Sequence, residues 1–96
     1  MNSKVLQFPK KPKKNEIDIT TCLVAFVKQE LSIAELGQEV AKQIAENANY
    51  ATDPRLQRIH SKFTGVTEKD DFDRFFTDLN WWCEYSEVVL VYPGSN

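Results

Sequence analysis

The sequence predicts a mainly α protein, a small bundle of three to four helices followed by one short strand. Three observations carry this expectation. Apolar residues recur at about 3.6-residue spacing through the segments 33–48, 54–63 and 68–84. Helix-start signals precede each of these segments. The run Val88-Val89-Leu90-Val91-Tyr92, closed by Pro93-Gly94, has the composition of a strand instead.

The first fifteen residues read as a flexible basic arm. Two prolines and five lysines leave too little apolar surface to offset the entropy of ordering. Val5, Leu6 and Phe8 are an apolar hook within it, able to dock on the body or to add to a sheet edge. The stretch Lys-Val-Leu-Gln-Phe-Pro resembles the leader with which small bacterial and phage-borne proteins often begin, a likeness of a few residues that identifies no family. Residues 16–96 are expected to form one globular domain, since the chain has no room for two.

From Ile17 to Leu31 the pattern supports two readings. Ile17-Asp18-Ile19-Thr20 alternates and is rich in β-branched residues, as in a strand. Ile19, Leu23, Phe26 and Val27 follow helical spacing, and Lys28-Gln29-Glu30 favours helix. A mostly buried helix over about 18–30 is the expectation, and the class becomes α+β if 17–27 is a strand.

The next helix is well marked. Ser32 and Glu35 have capping-box spacing, with Leu31 and Leu36 as the matching hydrophobic staple. Ile33, Leu36, Val40, Ala41, Ile44 and Ala48 form the stripe expected to be buried. Gly37 lies on that face, where a missing side chain admits a second helix. The end is expected near Asn47–Asn49, residues that tolerate the left-handed conformation.

Asp53-Pro54 then reads as N-cap and first helical residue. Leu56, Ile59, His60 and Phe63 share one face, and Gly65 stops the helix. Thr67 with Asp70 gives a weaker capping box, and Glu68, Asp70 and Asp71 suit the positive end of the helix dipole. Phe72, Phe75, Phe76, Leu79, Trp82 and Cys83 form the core face of the last helix. The strand 88–92 needs a partner, and three are available: Lys4–Phe8, Ile17–Leu23, or the same strand of a second chain.

Composition narrows the function classes. With 42% hydrophobic and 11% aromatic residues the chain is globular rather than disordered. A body of this size buries only roughly two-thirds of its unfolded surface, so homodimerisation would be an ordinary supplement. No signal peptide is expected, and the apolar run Cys22–Val27 is far too short to span a bilayer. Cys22 and Cys83 follow no C-x-x-C spacing and read as buried, reduced thiols of a cytoplasmic protein.

No catalytic pattern is present. The single histidine, His60, accompanies no nucleophile motif, and no nucleophile elbow, P-loop or dinucleotide fingerprint occurs. One His and two distant Cys fall short of a zinc site. The expectation is a non-enzymatic protein with no cofactor and no metal.

The surface is more informative. Residues 1–14 hold five lysines and no acid, whereas the remaining 82 hold 14 acids and seven bases, net −7 against −2 for the whole chain. Residues 64–96 alone carry net −5, which suits solubility or a basic partner equally. On the last helix, about 100° per residue brings Arg74, Asp78, Trp81 and Tyr85 together away from the core face. Tryptophan, tyrosine and arginine dominate interface hot spots, so this patch is the candidate protein-binding site. In the other reading, the arm or the strand 88–92 covers Trp81.

A second patch is basic. Arg55, Arg58 and Lys62 share the solvent face of the third helix, and Lys10, Lys11, Lys13 and Lys14 could add sequence-independent attraction to phosphates. This helix resembles the recognition helix of a helix-turn-helix. The likeness fails at the connection from Ala48 to Asp53, longer than the usual turn, and in the acidic body. A small protein-binding module is therefore the first expectation and a nucleic-acid-binding protein the alternative.

Overall fold

The computed structural model describes residues 16–94. The order is β1 (Glu16–Asp18), α1 (Thr20–Val27), α2 (Ile33–Ala45), a 3-10 turn (Ala48–Ala51), α3 (Pro54–Thr64), α4 (Lys69–Tyr85) and β2 (Val89–Val91). Among the described residues the protein is mainly helical with a short two-stranded parallel sheet. The basic arm lies outside the described residues.

The doubtful segment resolves into both readings at once. Glu16–Asp18 is a strand, and a helix starts two residues later. β1 pairs in parallel with β2, Glu16 opposite Val89, Ile17 opposite Leu90 and Asp18 opposite Val91. The Ile19 amide extends the ladder by donating to the Val91 carbonyl at 2.9 Å. Strand alternation buries Ile17, Ile19, Val88 and Leu90 and leaves Val89 exposed. The helix expected over 18–30 shortens to 20–27 because its first residues are in the sheet and its end turns at Gln29.

α2 opens as expected. The Ser32 hydroxyl accepts from the Glu35 amide at 3.1 Å, and the Glu35 carboxylate accepts from the Ser32 amide at 2.8 Å. Leu36, Val40, Ala41 and Ile44 are buried, while Ile33 is half-buried and Ala48 exposed, beyond the helix end. The end itself departs from expectation. The helix stops at Ala45, and neither Asn47 nor Asn49 enters the left-handed region. Asn47 is extended instead, and its side-chain oxygen accepts from the Asn49 amide at 2.9 Å, starting the 3-10 turn. Its amide nitrogen donates to the Glu16 carbonyl at 3.1 Å, so this buried polar residue ties the turn to β1.

Gly37 is buried against α3. A Cβ there would overlap the Phe63 carbonyl oxygen and Val66 Cγ1, so the helices approach as closely as the missing side chain allows. Gln38 donates to the Thr64 carbonyl at 2.7 Å and satisfies the end of α3.

The weaker capping signal fails. Thr67 and Asp70 form no capping box, because α4 starts at Lys69 with Glu68 at the cap position and no side-chain cap bond. Asp70 and Asp71 still place charge at the positive end of the dipole. Phe72, Leu79, Trp82 and Cys83 are buried, with Phe75 and Phe76 half-buried against them. Phe63 meets Phe72 and Phe75 edge-on at 5.4 and 6.0 Å.

α1 and α4 end in the same way, without glycine. The Glu30 amide donates to Ala25 and the Gln29 amide to Phe26, while Val88 donates to Cys83 and Glu87 to Glu84. These are Schellman bonds, and they place Gln29 and Glu87 at φ 65° and 59°. Among the described residues no helix is long and apolar enough to cross a membrane.

Candidate functional site

The start of α3 sets the site. Asp53 Oδ1 accepts from the amides of Arg55 and Leu56 at 2.9 and 3.4 Å, and Pro54 occupies the first helical position. This fixes the helical phase, turning Leu56, Ile59 and Phe63 inward and Arg55, Arg58 and Lys62 outward. α4 likewise buries Leu79, Trp82 and Cys83 and exposes Trp81 and Tyr85.

The two outward faces meet along one groove of about 450 Å³ between α3 and α4. Arg55, Arg58 and Lys62 form one wall, and Asp78, Trp81 and Tyr85 the other. Ile59 and Trp82 lie between them as the apolar floor. Trp81 is 68% exposed and Tyr85 70% exposed, so the strand 88–92 does not cover them. The arm, the other proposed cover, lies outside the described residues.

Contacts across the groove are specific. The Arg55 guanidinium carbon lies 4.9 Å from the centre of the Tyr85 ring. Lys62 Nζ is 3.3 Å from Asp78 Oδ2 and 5.7 Å from the Phe75 ring centre. Trp82 Nε1 donates to Asp53 Oδ2 at 3.0 Å, so the residue that caps α3 also holds the floor of the groove.

The electrostatics are uneven. Lys42, Lys69 and Arg74 are each paired with an acid on their own helix. Arg55 and Arg58 make no ion pair among the described residues. Two guanidiniums without carboxylates thus stand beside two exposed aromatics on an otherwise acidic body.

The sequence patches are regrouped rather than reproduced. Asp78, Trp81 and Tyr85 come together as expected, but Arg74 pairs with Asp71 and does not line the groove. The basic stripe, expected to serve a different partner, forms the facing wall. Lys10, Lys11, Lys13 and Lys14 lie outside the described residues. Trp82 and Asp53 were legible only as core and cap, because their meeting joins two segments distant in the chain.

Other chemistry-bearing residues are engaged in the fold. His60 Nδ1 is 3.4 Å from the Tyr50 hydroxyl, with the rings 4.9 Å apart. Cys22 and Cys83 are buried free thiols, and burial pushes them up to about 11 and about 12. Cys22 borders a second groove of about 410 Å³ between α1 and α2, with Asp18 and Glu39 at its edge. A thiol held so far from ionisation is a poor nucleophile at neutral pH. Among the described residues no group of three or more His, Cys, Asp and Glu is placed to hold a metal ion.

No protein-family model, no curated protein and no solved structure matches this chain.

Proposed function

We propose that the chain is a non-enzymatic protein-binding module, a small regulator, inhibitor or accessory subunit, whose partner docks in the α3–α4 groove. One observation carries this reading: Trp81 and Tyr85 stand exposed opposite Arg55 and Arg58, over an apolar floor. These three residue types dominate the energetics of protein interfaces. Covering an exposed tryptophan of this size is worth about 3–4 kcal/mol before the ordering costs of association. The two buried thiols suit a reducing, cytoplasmic setting.

The test is a paired one. Trp81→Ala and Tyr85→Ala are expected to abolish capture of a partner from the native host. The same variants should change stability by no more than about 0.5 kcal/mol, as exposed positions do. A sharp drop in melting temperature for both would make the patch part of the core and remove the reading.

A nucleic-acid-binding role is the second reading, favoured by the same groove, because aromatics flanked by arginines also stack and hold single strands. It requires binding that weakens steeply with salt, and a gel-shift series without retardation at low salt would end it.

A further inference from the structure

Resting on the protein-binding reading, we infer that the occupant of the α3–α4 groove is an acidic segment of a partner protein, one that sets carboxylates on Arg55 and Arg58 and an apolar side chain on Trp81. Charge complementarity carries the inference. Lys62 is already matched by Asp78, whereas Arg55 and Arg58 make no ion pair among the described residues. Arg55 faces the Tyr85 ring, which orients a planar fork suited to bidentate contact with a carboxylate. The two arginines are one helical turn apart, a rise of about 4.5 Å, which matches acids spaced three or four apart on a partner helix.

The same charges argue against other occupants. The chain's own arm carries five lysines and is repelled by the arginine wall. A nucleic acid bears a phosphate at every nucleotide and would run beyond two arginines onto a body of net −7. A protein segment can confine its carboxylates to the two positions that face arginine.

The experiment selects binders to the full chain from a library of short random peptides displayed on phage. Binders rich in Asp and Glu with an adjacent aromatic or aliphatic residue are expected. Their affinity should fall about tenfold or more in the double variant Arg55→Glu/Arg58→Glu, and Lys-substituted peptides should recover binding to it. Both sites are exposed, and a glutamate at position 55 lies in the first turn, where it suits the helix dipole, so the variant should fold. Neutral or basic binders that are lost in Trp81→Ala but indifferent to the arginine reversal would overturn the acidic occupant and leave the protein-binding reading standing. Retention of an oligothymidine with no peptide binders would overturn both, as would the absence of any binder. Sedimentation showing a dimer that Trp81→Ala dissociates would assign the groove to a second copy and overturn the acidic partner.

Discussion

Asp53 and Trp82 are joined by a hydrogen bond of 3.0 Å from the indole Nε1 to Oδ2, while Oδ1 of the same carboxylate caps α3. One side chain therefore starts a helix and anchors a buried ring of the next. Trp82 is only 4% exposed, so its N–H has little access to water and depends on this acceptor. The arrangement also fixes the groove, because the floor residue and the arginine wall are set by the same cap.

Asp53→Ala should consequently cost more than an ordinary cap. Loss of the cap contributes about 1 kcal/mol, and the stranded indole N–H about 1–3 kcal/mol more. Asp53→Asn keeps an oxygen for one of the two roles and should cost about half as much. Urea denaturation followed by tryptophan fluorescence measures both. A loss of only about 1 kcal/mol for Asp53→Ala, with Asp53→Asn as stable as the parent, would mean that the indole bond contributes nothing.

Gly37→Ala sets two effects against each other. Alanine improves helix propensity by about 1 kcal/mol. The new methyl would meet the Phe63 carbonyl and Val66, and a helix backbone cannot yield as a side-chain tip can. Overpacking of this kind costs about 1–3 kcal/mol, so net destabilisation is expected. A stabilised Gly37→Ala variant in a thermal melt would contradict the close α2–α3 approach.

Gln29 and Glu87 hold positive φ at Schellman helix ends where glycine carries no steric cost. Gln29→Gly and Glu87→Gly should each stabilise by about 0.5–1 kcal/mol, the relief at the left-handed residue exceeding the entropy gained by the unfolded chain. The two sites lie on different helices, so the double variant should be close to additive. Denaturation midpoints that fall instead would show that these ends are not left-handed in solution.

Burial of the thiols gives a pH dependence of definite sign. Both ordinarily ionise near 9.0, but in the fold Cys22 is held up to about 11 and Cys83 to about 12, chiefly by desolvation. Below 9.0 the thiols are protonated in folded and unfolded chains alike, and their contribution to stability is fully present. Above it the unfolded chain loses protons that the folded chain keeps, so stability falls as pH rises towards 11 and 12. The slope is at most about 1.4 kcal/mol per pH unit for each thiol. Cys83→Ala should start less stable but decline less steeply across this range, and an unchanged slope would refute the assignment.

The sequence by itself determined α2, α3 and α4 to within a few residues. Their signals are local: the Ser32/Glu35 box, the Asp53-Pro54 start, and apolar spacing that tracks the helical period. It also marked Gly37 as a place of close approach, since a glycine inside a buried stripe costs stability unless something occupies the space. Where two local preferences were nearly balanced, as at Ile17–Thr20, tertiary pairing chose: Val89–Val91 needed a ladder, and Glu16–Asp18 supplied it from the far end of the described chain. The helix ends at Gln29 and Glu87 carried no glycine to announce them. Nor could spacing along α3 and α4 separately show that the basic stripe and the aromatic pair would face each other across one groove. Each stripe follows from its own helix, but their meeting follows from how two buried faces pack, which joins Asp53 to Trp82 and Arg55 to Tyr85 across the chain.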